Sequence, residues 1–232
     1  MMPRYFILLF LLGAPCIEAD DFSFTPVGKL NPANSGHGRV DVNLYAPMMV
    51  FPIRRAPAYA NSQVFGSGGS HGSVGSQCDT RNFQYPWHDN FCETRSGRTN
   101  PACPTGQGHE GQDIRPADCS PDTAEAIAAE TGRISKIGPF WVGLVGDSGI
   151  YYSYLHLNPH RLAVKLGERV SSGDTIGYVS DYMNGPHGTT THLHFEIHAS
   201  IIDAKTGRAT LQPVSPYFSL VEAYKRLLNA QR

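Results

Sequence analysis

Charge is the first thing this chain lacks. Only 17% of its 232 residues are charged, and 19 basic against 20 acidic residues leave a net charge of -1. Without a basic surplus there is no electrostatic footprint for nucleic-acid phosphates, so that class of partner is excluded. Long helical patterns are scarce too. Gly (24) and Pro (17) recur throughout, which favours short strands joined by turns. No apolar run reaches the ~18 residues of a membrane span. Cysteines number five and none forms a CxxC pair, so a cysteine metal site has no support.

What is present begins with a leader. Arg4 precedes the apolar run Tyr5-Phe6-Ile7-Leu8-Leu9-Phe10-Leu11-Leu12, and small residues follow at Gly13, Ala14 and Ala19. This order reads as a secretory signal peptide over residues 1–19, cleaved after Ala19. Cys16 raises the alternative of a lipoprotein signal, but Pro15 before it fits that poorly. Removal of the leader leaves no segment for stable membrane insertion. It also leaves four cysteines, Cys78, Cys92, Cys103 and Cys119. An even count in an exported chain implies two disulfides. Of three connectivities, local pairing of Cys78 with Cys92 and Cys103 with Cys119 is the simplest.

The remaining chain divides into an N-terminal arm (20–46), a main domain (47–214) and a C-terminal helix (215–232). Met48–Ile53 and Asn61–Phe65 are short candidate strands. Residues 67–107 show neither helical nor strand periodicity and read as a loop-rich insert. Ala124–Glu130 has helical propensity, yet Gly132 and the alternation in Arg133–Ile137 favour two short strands. Gly149–Leu157 is rich in Tyr and Ile, with Ile150, Tyr152, Tyr154 and His156 on one face. Val164–Val170 and Ser172–Val179, separated by glycine turns, complete an antiparallel all-β core. In the closing helix, Tyr217, Leu220, Val221, Tyr224, Leu227 and Leu228 form one stripe, and Ser219 with Glu222 makes a capping box.

The most informative stretch is Thr190-Thr191-His192-Leu193-His194-Phe195-Glu196-Ile197-His198. Its period of two predicts a strand with Leu193, Phe195 and Ile197 inward and His192, His194, Glu196 and His198 outward. Two histidines at i and i+2 share a face about 7 Å apart at the backbone, close enough to serve one site. Alone, such a pair is no more than a polar face. A second cluster, Gly108-His109-Glu110-Gly111-Gln112-Asp113-Ile114, sets His109 and Asp113 four residues apart on one side of an extended segment. Imidazole and carboxylate both suit zinc. Asp113 stands where an HExxH motif needs its second histidine, so Glu110 reads as solvated. The third piece is His156, at the end of an aromatic strand. His37, His71, His88, His160 and His198 lack partners at ligand spacing and read as surface residues, while His187 lies near the HxH stretch.

HxxxD, a strand-terminal histidine and His-Leu-His-Phe-Glu-Ile, in that order, resemble the M23 peptidase family of LytM and lysostaphin type. The resemblance runs from about Phe51 to Ile197. It implies an antiparallel β-sandwich of the LytM type, one zinc ion per chain held by His109, Asp113 and His194, and His156 and His192 as catalytic residues. It also implies hydrolysis of peptide bonds in peptidoglycan, which together with the leader places the protein in the periplasm or outside the cell. Two histidines and one aspartate leave zinc an open position for water, as a catalytic site requires. The long insert and the cysteines flanking HxxxD depart from the family. Some members of this family lose ligands and regulate other wall hydrolases instead, and the completeness of the five residues here argues against that. A biotinyl- or lipoyl-type carrier module is excluded by the lack of a lysine at a hairpin tip.

Overall fold

The computed structural model describes residues 22–202 and 207–232; the signal-peptide expectation falls outside them. The main-domain strands are β1 (Tyr59–Ala60), β2 (Gln112–Arg115), β3 (Glu125–Ile127), β4 (Gly132–Ile137), β5 (Trp141–Gly146), β6 (Tyr151–Leu155), β7 (Arg169–Val170), β8 (Thr175–Tyr178), β9 (Leu193–Ile202) and β10 (Ala209–Val214). One helix, α1 (Tyr217–Ala230), closes the chain. All strand pairings are antiparallel. The large sheet runs β1-β2-β9-β6-β5-β4-β7, with β10 also on β9, and β3 pairs with β8 in a second sheet.

The longest strand, β9, is the spine of the large sheet. β6 pairs along one edge, and β2 and then β10 share the other. Its alternation explains this place. Leu193, Phe195 and Ile197 are completely buried, each worth about 1.5–3 kcal/mol relative to exposure. They join Tyr152, Tyr154, Val142 and Leu144 of the neighbouring strands in one core. The intervening His194, Glu196 and His198 necessarily face the other side. Pro213 sits in β10, an edge strand, where its missing N–H is tolerated.

The arm is not a loose tail. Phe24 bridges Trp87 and Leu30 bridges Asp89. Asp89, fully buried, accepts from the Gly28 N–H at 2.7 Å and the Phe91 N–H at 2.9 Å. Phe22 packs edge-on to Trp87 and Tyr224. The stripe of α1 enters the same core through Tyr217, Leu220, Val221 and Tyr224.

Several expectations are corrected. The disulfides join Cys78 to Cys119 and Cys92 to Cys103, because the insert folds back over β2 and brings Gln77 onto Arg115, whose guanidinium donates to the Gln77 carbonyl. Met48–Ile53 makes only an isolated bridge, Ile53 to Ala126, and Asn61–Phe65 is a turn in which Ser62 Oγ accepts from the Val64 and Phe65 amides. Of Val164–Val170, only Arg169–Val170 is strand. Ser219 does not cap α1: Pro216 holds the N-cap position, and Ser219 Oγ instead accepts from Ala46 N–H across the fold. The HxH strand starts at Leu193. His192 lies just before it, its N–H on the Ser180 carbonyl and the Thr191 N–H on Gln77 Oε1.

Candidate metal centre

Pairing of β2 with β9 sets Asp113 directly opposite His194, and pairing of β6 with β9 sets Leu155 opposite the same residue. His156 follows β6 at once and has φ of 66°, a left-handed conformation that is rare for a side chain of this size and is held only where the surroundings impose it. It turns the ring out of the ladder toward His192, 4.5 Å away between ring centroids. His109 reaches the site from the turn before β2. Gly111 in that turn lies so close to β9 that an added Cβ would stand 2.4 Å from the Phe195 carbonyl oxygen.

Three ligand atoms converge. His109 Nε2 and His194 Nδ1 are 2.8 Å apart, and each is 3.1 Å from Asp113 Oδ1. All three residues are buried and together form a group able to hold a metal ion. The outer nitrogens are already committed. His109 Nδ1 faces the Asn90 carbonyl at 3.0 Å and His194 Nε2 faces the Glu196 carboxylate at 2.8 Å. Such oxygens only accept, so these outer nitrogens carry protons, and the inner nitrogens are the ones turned toward the centre to ligate a metal. Carbonyl or carboxylate partners on the far nitrogen are the usual support for metal-binding histidines. Tetrahedral zinc with bonds near 2.0–2.1 Å sets its ligand atoms about 3.3 Å apart, and the observed separations need little adjustment. The donor set fits zinc.

His192 and His156 repeat the pattern. His192 Nδ1 donates to the Thr190 carbonyl at 2.8 Å, and His156 Nδ1 donates to the Tyr182 carbonyl at 2.9 Å. Both therefore offer an accepting Nε2. That of His192 lies 3.5 Å from Asp113 Oδ1.

The electrostatics favour a cation at the centre. Burial opposes ionisation of Asp113, yet His109, Arg95 and His192 outweigh it and hold its carboxyl well below the usual range. Burial likewise works against charge on His194, but Asp113 and Glu196 overcome it and raise that imidazole to about 9. His109 is pulled down to about 4, chiefly by burial. Burial also lowers His192, and lowers His156 further with the help of its histidine neighbours. A proton on His194 is the smallest cation that answers this field, and a metal ion would take its place.

The five residues singled out by spacing are thus brought together. Others were not assigned a part. Glu196 stood in the alternating pattern as a carboxylate among imidazoles, a usable signal. It accepts from both His194 and His198 at 2.8 Å, so His198 is not partnerless as expected. Asn90 and Arg95, both bound to Asp113 Oδ2, gave no signal, because nothing in an aperiodic insert reveals what it touches. Glu110 is half-buried and faces Arg98. His187 is exposed and bound to Asp181. A cleft of about 490 Å³ has Trp141, Tyr151, Leu155, Glu110, Glu196 and His198 in its wall; none of the five site residues lines it, and Glu196, bound to His194, links it to the triad.

The model of peptidase family M23 matches residues 107–210. No curated protein matches the chain. Among solved structures, the protein described as a glycyl-glycine endopeptidase LytM from Ruminococcus gnavus is 22% identical, with 76% of this chain and 61% of that chain covered and a TM-score of 0.47. The catalytic domain of the antimicrobial peptidase lysostaphin from Staphylococcus simulans is 24% identical over 52% of this chain and 89% of its own, with a TM-score of 0.35. A zinc-containing peptidase from Vibrio cholerae is also 24% identical, covering 51% and 34%, with a TM-score of 0.33. The chain spans about three fifths of the first of these proteins. His109, Asp113, His156, His192 and His194 all lie within residues 107–210, the stretch that matches the model of peptidase family M23.

Proposed function

We propose that the protein is an exported zinc endopeptidase that hydrolyses peptide bonds of peptidoglycan. The observation that carries the reading is the convergence of three ligand atoms, His109 Nε2, Asp113 Oδ1 and His194 Nδ1, beside two further imidazoles with accepting nitrogens. Zinc held there supplies a Lewis acid that polarises the scissile carbonyl and acidifies water. Asp113 and His194, on adjacent strands, and His109, on the turn before β2, hold the ligand atoms in place. His192 Nε2 accepts the proton of the attacking water and returns it to the leaving amine. His156 Nε2, an acceptor as well, orients that water. The cleft beside the triad gives an extended peptide a place to lie along the face of β5, β6 and β9. Peptidoglycan as the substrate is supported by the match of residues 107–210 to peptidase family M23, and two disulfides suit an extracytoplasmic location. No helix among the described residues is long and apolar enough to cross a membrane.

The test is loss of turbidity of purified sacculi, with and without a chelator, alongside metal analysis of the protein. Wild type should contain one zinc and digest sacculi in a chelator-sensitive manner. His109→Ala and His194→Ala should lose both metal and activity, and His192→Ala should keep the metal while its rate falls by about 10²–10⁴. Digestion by His109→Ala or His194→Ala at the wild-type rate overturns the reading. Absence of zinc and of digestion in wild type would leave a non-catalytic regulator of wall hydrolases.

A further inference from the structure

The insert does more than border the site. Every hydrogen-bonding group of His109 except its inner nitrogen is engaged by the segment from Asn90 to Cys103. The His109 N–H donates to the Glu93 carbonyl at 2.9 Å. Its carbonyl accepts from the Cys92 N–H at 3.0 Å and from Asn100 Nδ2 at 3.1 Å. Its Nδ1 donates to the Asn90 carbonyl. Asp113 is treated alike. Its N–H donates to Asn90 Oδ1 at 3.2 Å, and its Oδ2 accepts from Asn90 Nδ2 at 2.9 Å and from Arg95 Nη2 at 2.6 Å. Of the polar side-chain atoms of the two residues, the segment leaves untouched only His109 Nε2 and Asp113 Oδ1, two of the three converging atoms. The Cys92–Cys103 disulfide closes the segment into a loop.

Charge is arranged with the same economy. An arginine beside a cation site would by itself weaken cation binding. Here Arg95 Nη2 also lies 2.7 Å from Glu93 Oε2, and Glu93 is 1% exposed. A buried carboxylate is tolerated only when it is paired. Burial raises the Glu93 carboxyl to about 7; where it is ionised, Glu93, Arg95 and Asp113 together carry one negative charge, the same as Asp113 alone, and Arg95 then fixes the ligand carboxylate without changing the net charge at the centre.

We infer that the disulfide-closed segment Asn90–Cys103 is a clamp that holds the metal ligands, with Arg95 the positioning residue for Asp113. By holding Oδ2 it directs Oδ1 alone to the metal. The inference rests on the reading of the centre as a zinc site, and its test reads affinity rather than hydrolysis.

The experiment measures the zinc dissociation constant of the full chain by competition with a chromophoric chelator, with the apo proteins first shown to be folded by circular dichroism. Arg95→Met should raise the constant by about 10–100-fold, the range for lost partners of metal ligands. The double variant Glu93→Gln with Arg95→Met leaves no unpaired buried carboxylate behind, and it should show the same loss. Arg95→Lys keeps the charge and should recover part of it. Cys92→Ser with Cys103→Ser should shift the constant in the same direction as Arg95→Met. If the double charge variant and the disulfide variant both bind zinc within about threefold of wild type, the segment merely packs against the site and the inference is wrong. A wild-type protein that binds no zinc overturns the site reading as well.

Discussion

Glu196 offers the sharpest test of how the centre works. It touches no converging ligand atom, yet its Oε1 accepts from His194 Nε2 at 2.8 Å while its Oε2 accepts from His198 Nε2 at the same distance. Its side chain is 10% exposed, so solvent screens it little. Two effects are separable. The carboxylate orients the ring, and its charge makes His194 a stronger donor. Glu196→Gln keeps one accepting oxygen for His194 but turns an amide toward His198, and it removes the charge. A charged hydrogen bond contributes about 1.5–3 kcal/mol and a neutral one about 0.5–1.5. The glutamine variant should therefore lose about 1 kcal/mol of zinc binding, roughly fivefold. Glu196→Ala loses ring orientation as well and should bind about 10–100-fold more weakly. Chelator competition near pH 9 is the appropriate assay, since the proton on His194, raised to about 9, competes strongly with zinc at lower pH. The graded order wild type, Gln, Ala is the expected result. Equal affinity in all three would show that the carboxylate is a bystander, and equal loss in both variants would show that charge alone matters.

Two further predictions concern stability. Tyr154, fully buried, accepts the Ala129 N–H at 2.7 Å, so Tyr154→Phe orphans a buried donor at a cost of about 1–3 kcal/mol. Calorimetry should show a melting temperature lower by about 2–4 °C for each kcal/mol; an unchanged melting temperature refutes the bond. Burial raises Asp89 from 3.8 to about 6. Between those values the native state holds a proton that the unfolded chain has released, so stability falls as pH rises through that window, by about 3 kcal/mol in all. Denaturant midpoints at pH 4 and pH 7 should differ less in Asp89→Asn than in wild type. An identical fall in both would place the cause elsewhere.

The features legible in the sequence are those whose logic is local. Alternation placed Phe195 inward and His194 outward because a strand has a period of two, whatever it pairs with. HxxxD and HxH were visible as short spacings, although only Asp113 and His194 lie on strands while His109 and His192 precede them. The disulfide pairing was not, since Cys78 and Cys119 are 41 residues apart and meet only after the insert has folded over β2. The proposed cap at Ser219 obeyed a local rule that a tertiary bond to Ala46 overrode. His192 fits a strand by pattern, but Ser180 and Gln77 draw its backbone and that of Thr191 out of the ladder. Arg95 lies 18 residues before Asp113 in a segment without period, and only the folded chain shows that it belongs to the site.

The face-to-face register of Asp113 and His194 carries a thermodynamic consequence. A metal ion held between them would fasten β2 to β9, the spine of the sheet, so that releasing the strands would mean releasing the ion. Binding then adds to native stability by mass action, about 2.7 kcal/mol when free zinc stands at a hundred times its dissociation constant. With zinc as that ion, the heat resistance of the protein would gauge the zinc around it, and a chelator would act on it as a denaturant.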